Sequence, residues 1–423
     1  MKGPKLETLP LPGMQDLLPA DTHAWQFLER AFWDHASLYG YREIRTPILE
    51  RIEIIDRTSG ETSDIVTKEM FDFVDKGERT VVMRPELTAP AMRAVVEYNL
   101  CPPSTLLRLA YGGPFFRYGA IQKGRFRQAH QFGIELIGGV GPEADAEVIE
   151  FTVRFYEKLG LNNLVVLLNS IGRAECRAKY ETVILDHLAP WLKDQETEVQ
   201  DRARRNPLRI LDWKEESIQP LLQTMPPLTD YLEDASKARL DSIRQFLGEV
   251  GVAYRLDPSL VRGLDYYTET VFEIQSRHLG AQGSLCGGGR YDNLLAELGG
   301  LPTPSVGVGI GIERALIALE AEGFAPLAPR PDVFVISAGK DARDTVRLLT
   351  SDLRRAGVRA LSDVDGKSLR SQMRQADGSG ATFALILGSD ELTSGQYQVR
   401  ALREQETFTV PAGEVVEWIS ARR

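Results

Sequence analysis

Three cysteines, Cys101, Cys176 and Cys286, are all that 423 residues carry, and they stand far apart. Neither the paired spacing of a zinc site nor the density of a disulfide scaffold is present, so three reduced, structural thiols are expected. Positive charge is also short: Lys and Arg number 50 against 60 Asp and Glu, a formal net charge of −10. A chain built to coat polyanions usually has a basic face that dominates its total, so any nucleic-acid contact is expected as a local patch. Long apolar runs are missing as well. The opening MKGPKLETLPLPGMQDLLPAD is broken by prolines and acids before a leader or a span could form, which predicts no membrane association and, by default, a cytoplasmic location. Internal repeats and low-complexity segments are absent from the sequence. What is there is ordinary globular composition, 43% hydrophobic and 26% charged, enough for a core in each of two or three domains.

From Asp21 to Gly40, Trp25, Leu28, Phe32, Ala36 and Tyr39 recur at helical spacing and the stretch ends at a glycine, which predicts a long amphipathic helix. YREIRTPILE follows as a strand that Pro47 must interrupt. TVVMRPE, LLRLAYGGPFFRYG, FGIELIGG, TETVFEI and SVGVGIGI are further strand candidates, several in adjacent pairs. The expectation is an α+β domain with an antiparallel sheet flanked by helices, built from residues 1–168 and 251–325. Residues 169–250 read as a helical insertion of short charged helices around NPLRILD. A proline-rich linker over 326–331 then precedes an α/β domain over 332–423, whose alternating strands and helices call for a largely parallel sheet.

FRYGAIQKGRFRQAHQ, from Phe116 to Gln131, concentrates cations in this acidic chain. If RFRQAHQFGIELIG is one strand, then Arg125, Arg127, Ala129, Gln131, Gly133 and Glu135 share a face. FFRYG, running antiparallel, brings Arg117 onto the same sheet. Converging guanidiniums suit phosphate oxygens; the plainer reading is a solvated hairpin laced with ion pairs. GVGIGIER has glycine at every second residue outside any βαβ unit, so it is not a dinucleotide fingerprint but a strand face that something approaches closely, with Arg314 at the start of the next helix. VRGLDYYTETVFE groups Arg262, Tyr266 and Tyr267, which could equally be core. GSLCGGGRYD places three glycines before Arg290, and MRPELTAP places Glu86 and Thr88 where they could hold an amine or merely cap a helix.

Taken together these segments resemble the histidyl-tRNA synthetases, a class II synthetase family. REIRTP is similar to the dimer-forming first motif, FRYG…QKGRFRQ to the second and GVGIGIER to the third. RGLDYYTETVFE and GGGRYD are similar to the histidine-specific signatures, and the final domain to an anticodon-binding module. The resemblance implies a homodimer that joins histidine to ATP, with Mg2+ on the phosphates, and passes the histidyl group to tRNA(His). It implies Arg117 and Arg262 as catalytic groups on the α-phosphate and carboxylate, and Arg117, Arg125 and Arg314 on ATP. Glu86, Thr88 and Gln131 would take the α-amino group. Glu135 and Tyr267, beside Tyr266, would read the imidazole, and Gln122 would face the tRNA acceptor end. No metal is expected on protein side chains alone.

The second motif departs from the family's pattern. Gly119, Ala120 and Ile121 stand where it usually has Glu, Arg and Pro; Ala129 replaces an aromatic, and Leu87 a glycine. In the family the Glu meets the adenine amino edge, the aromatic stacks on adenine and the Arg helps read the tRNA end. Two other readings share the resemblance: a non-catalytic paralogue that senses histidine as regulatory subunit of ATP-phosphoribosyltransferase, and a duplicated binding protein. The QKGR loop with its arginines and the complete final domain favour the synthetase.

Overall fold

A computed structural model of the chain describes residues 9–60, 65–213, 215–276, 283–324, 326 and 328–423. The chain divides into two compact units, residues 1–326 and 327–423. Among the described residues no helix is long and apolar enough to cross a membrane.

The strands of the first unit are β1 (Arg42–Glu43), β2 (Leu49–Arg51), β3 (Phe71–Val74), β4 (Thr80–Met83), β5 (Leu107–Phe116), β6 (Gln128–Ile137), β7 (Leu164–Ser170), β8 (Tyr254–Leu256), β9 (Thr268–Ser276), β10 (Ser284–Arg290) and β11 (Ser305–Gly311). Eight of them form one sheet in the order β1-β5-β6-β11-β10-β9-β7-β8. The six central strands pair antiparallel, as expected, and only the short edge strands β1 and β8 join parallel. Pro47 divides REIRTPILE, sending its second half into a separate sheet of order β2-β4-β3.

The predicted amphipathic helix spans Thr22–Leu38 and buries Trp25, Leu28, Phe32 and Ala36. Phe32 stacks on Phe132 of β6, ring centroids 4.3 Å apart, which fixes this helix against the sheet. A second long helix, Pro142–Lys158, starts with proline at its first turn and carries Glu143 and Asp145 there, where acids favour the helix dipole. Between residues 174 and 249 the described elements are helical, and Tyr180, Ile184, Leu188, Ile210 and Leu240 join the same hydrophobic core as the sheet. NPLRILD forms a 3-10 helix, Pro207–Asp212.

Two expectations need correction. RFRQAHQ is not strand throughout: Arg127 and Gln128 donate their N–H groups to Gly13 O, so the N-terminal segment takes the place of a strand partner and β6 starts at Gln128. Arg125 therefore lies in a turn, bridged by backbone to Gln122, and Arg127 instead lays its guanidinium 3.6 Å from the Tyr118 ring centroid.

The second unit carries β12 (Val333–Ser337), β13 (Ala360–Ser362), β14 (Phe383–Leu387), β15 (Gln396–Ala401) and β16 (Thr407–Pro411) in the order β13-β12-β14-β15-β16. Its sheet is mixed rather than largely parallel. β13, β12 and β14 are parallel, but β15 and β16 follow without a long crossover helix, and so short a connection permits only antiparallel pairing.

Candidate active site

Glycine builds the floor of the site. On β11, Gly307, Gly309 and Gly311 lie opposite Glu135, Gly133 and Gln131 of β6, and on β10, Gly287 and Gly289 lie opposite Gly309 and Gly307. A Cβ at Gly307 would collide with the Glu135 carboxylate, at Gly309 with the Gln131 amide and at Gly287 with the Arg262 guanidinium. At Gly289 it would come within 2.8 Å of the Tyr267 ring. The alternating glycines thus let four functional side chains lie flat on the sheet.

Above this floor opens a cleft of about 560 Å³. Nine of the eleven residues expected from sequence line it: Glu86, Thr88, Arg117, Arg125, Gln131, Arg262, Tyr266, Tyr267 and Arg314. Gln122 and Glu135 do not. Gln122 is exposed in the turn with Arg125. Glu135 is fully buried on the same face of β6 as Gln131 but outside the cleft lining, one carboxylate oxygen accepting from the Tyr111 hydroxyl at 2.6 Å and the other from the Tyr291 hydroxyl. Burial pushes its pKa up to about 7, against the pull of those hydroxyls.

Each arginine has its own anchor. Arg117 Nε donates to Pro85 O at 2.7 Å, and Arg125 Nη2 to Glu69 Oε1 at 2.6 Å. Arg262 Nη1 pairs with Glu273 at 2.8 Å, and Arg314 Nη1 donates to Ser284 O at 2.7 Å. Burial lowers the pKa of Arg117 and Arg314; for Arg262, burial is outweighed by Tyr267 and Glu273, and the pKa rises. Arg314 follows Glu313, whose carboxylate accepts from the backbone N–H of His130 at 3.0 Å and lies 2.9 Å from its Nδ1. That latch holds the helix Ile312–Ala321 against β6 and aims Arg314 into the cleft.

Glu86 does cap a helix. Its oxygens accept the N–H groups of Thr88 and Ala89 at 2.5 and 2.6 Å while it also lines the cleft, and burial raises its pKa against those bonds. Thr88 Oγ1 lies 3.0 Å from the Tyr111 hydroxyl, which links Thr88 to Glu135. Cys286 lines the cleft with its thiol pushed up to about 12 by burial, so it stays neutral; all three cysteines are free. Arg290 is structural. It is fully buried and paired with Asp145, which also takes Arg239 at 3.1 Å.

Sequence reasoning missed several residues. Phe115, Glu69, Glu273, Arg209 and Asp212 all line the cleft, and Tyr111 and Tyr291 hold Glu135. Arg209 Nη1 donates to Arg262 O at 2.8 Å, so the helical segment positions a cleft residue. Tyr291 lies within GGGRYD and Tyr111 two strand positions from Gly113, but nothing local marks Glu69 or Arg209.

The family model described as histidyl-tRNA synthetase matches residues 13–315, and an anticodon binding domain matches residues 332–422. A histidine–tRNA ligase of Synechocystis sp. is 44% identical over 94% of this chain and 89% of its own length. One from Geobacillus kaustophilus is 42% identical over 97% of both. The apo crystal structure of the S. aureus histidyl-tRNA synthetase matches with a TM-score of 0.84 at 34% identity, covering 98% of this chain and all of that one. With a family model spanning most of the sheet-bearing unit and relatives of this identity along almost the full length, the chain belongs to the histidyl-tRNA synthetase family.

Proposed function

We propose that the protein activates histidine with ATP and transfers it to tRNA(His). The observation that carries this reading is the cleft in which the guanidiniums of Arg117, Arg125, Arg262 and Arg314, suited to phosphates, share a glycine floor with Glu86, Thr88, Gln131 and Tyr267. A carboxylate oxygen of histidine attacks the α-phosphorus of ATP. The bond from that phosphorus to the bridging oxygen breaks, and pyrophosphate leaves with the electron pair. Arg117 and Arg262 meet the charge that develops on the α-phosphate, and Arg125 and Arg314 hold the departing phosphates. ATP enters as its magnesium complex, with phosphate oxygens as metal ligands. In the second step a terminal ribose hydroxyl of tRNA attacks the activated carbonyl, and AMP leaves.

Glu86, Thr88 and Gln131 receive the α-amino group. Tyr267 and Glu135 address the two imidazole nitrogens, so a side chain lacking a nitrogen pair leaves buried partners unmet. Gln122, exposed at the tip of its turn, faces the acceptor end of tRNA. The second unit binds the anticodon. The reading includes a cytoplasmic homodimer, supported by exposed Ile48, Leu49, Phe73 and Val74 on and beside the β2-β4-β3 sheet. The identities above favour a ligase over the regulatory paralogue.

Histidine-dependent exchange of labelled pyrophosphate into ATP tests the reading. Wild-type protein is expected to exchange, and Arg262→Ala to lose about a hundredfold or more in rate while still binding histidine. Wild-type protein that binds histidine but exchanges nothing would overturn it.

A further inference from the structure

Position 119 is glycine and position 129 alanine, yet the space each would serve is filled from elsewhere. We propose that the adenine of ATP is held by the Phe115 ring, with the Glu69 carboxylate taking its amino edge. This rests on the ATP-dependent reading above.

The register of β5 against β6 sets Phe115 directly across from Ala129. Directly opposed residues of an antiparallel pair project from the same face, and both side chains line the cleft. One ring and one methyl group therefore share this rung, with the ring on β5. Ala129 adds only a methyl group to this rung, so a planar ligand would take the face of Phe115 that the Arg117 guanidinium does not cover. The Arg117 guanidinium lies 5.1 Å from the Phe115 centroid, so the ring stands beside a group assigned to the α-phosphate.

Glu69 takes the second role. A Cβ at Gly119 would stand 2.9 Å from Glu69 Oε1 and 3.0 Å from Arg125 Nη2, so a side chain there would press on that ion pair and the glycine leaves it room. The backbone fixes the substitute carboxylate: Tyr118 donates its N–H to Glu69 O at 2.7 Å, tying Glu69 to the residue before the glycine. Adenine presents a π-face and an exocyclic amine, and an aromatic ring with a carboxylate acceptor supplies a partner for each. Guanine would put a carbonyl oxygen against the same carboxylate, so the pair also selects the base.

The test uses the full chain and pyrophosphate exchange with ATP varied. Phe115→Ala is expected to raise the ATP KM about tenfold, as loss of one base stack does, with the histidine KM nearly unchanged. Phe115→Ala/Ala129→Phe, which moves the ring across the rung, should recover most of that loss, which a merely misfolded variant would not. Phe126→Ala, in the loop, should cost less than Phe115→Ala. Glu69→Leu, which removes the acceptor, should shrink the preference for ATP over purine riboside triphosphate, which lacks the amine; a role confined to holding Arg125 would weaken both nucleotides alike. An unchanged ATP KM in Phe115→Ala, or a larger loss in Phe126→Ala without rescue by Ala129→Phe, overturns the assignment. Wild-type protein without exchange would remove the parent reading alone. Calorimetric ATP binding to wild type and Phe115→Ala would then decide the subsite by the same fold-change.

Discussion

Glutamine at position 135 would separate the cost of burying a carboxylate from the worth of its hydrogen bonds. Burial raises the Glu135 pKa from 4.5 to about 7 in the folded protein. Below pH 4.5 the group is protonated folded or unfolded and contributes no slope. Between 4.5 and about 7 the unfolded chain ionises while the folded one keeps its proton, so stability falls as pH rises through this window and then levels. The rise from 4.5 to about 7 corresponds to about 3 kcal/mol. Glutamine does not titrate, so Glu135→Gln abolishes the slope. Its amide nitrogen accepts nothing, however, so the hydroxyl of Tyr111 or Tyr291 loses its acceptor at a cost of about 1–3 kcal/mol at every pH. The variant is therefore expected to be less stable than wild type at pH 5 and to regain about 3 kcal/mol relative to it by pH 8. Urea unfolding at intervals across that range reads the difference. Tyr111 and Tyr291, held well above their ordinary values first by burial, keep their protons across this range in both proteins. Two curves separated by a constant offset would refute the claim that this carboxylate gives up its charge on burial.

Arg290→Met should destabilise the first unit by about 3–5 kcal/mol in the same assay, because Asp145 is left buried with only Arg239. Adding Asp145→Leu should restore much of that. Tyr267→Phe is expected to raise the histidine KM about tenfold and leave the ATP KM alone, since only one imidazole nitrogen loses its partner. Equal losses for both substrates would remove Tyr267 from the histidine pocket. Sedimentation at micromolar concentration should find a dimer, and Leu49→Asp, placing charge on an exposed apolar residue of β2, should shift it toward monomer.

The parts of this fold that sequence announces are those with a period. The helix around Phe32 has period 3.6, and the glycines at 307, 309 and 311 have period 2, so the pattern by itself assigns each to a face. Arg125 and Arg127 extend the same alternation along the chain, but the partner that ends the strand is Gly13, more than a hundred residues earlier, and alternation carries no information about a competing partner. The Glu86 cap and the Glu135 pocket are each legible as residue types; which oxygen meets which donor is not. Glu69 and Arg209 reach the cleft from segments with no pattern of their own. Their roles are set by the loop and insertion that carry them, which are long-range facts.

An acidic chain and a cluster of arginines are reconciled by how the guanidiniums of Arg117, Arg125, Arg262 and Arg314 are anchored. Arg125 and Arg262 are paired with Glu69 and Glu273, so their charge is largely balanced and their planes are held by ion pairs. Arg117 and Arg314 are held by carbonyl oxygens of Pro85 and Ser284, which fix direction without cancelling charge. Burial lowers the pKa of these two, outweighing the nearby carboxylates of Glu69 and Glu86 for Arg117 and of Glu273 for Arg314. In the proposed reading, a phosphate adds the counter-charge. An incoming triphosphate thus gains most from the two carbonyl-anchored arginines, whose orientation is set before it arrives, so little reorganisation remains when charge develops at the α-phosphorus. The net charge of −10 therefore conflicts with nothing in the cleft: the surplus of acids lies elsewhere, and the unbalanced positive charge sits where two carbonyls hold it.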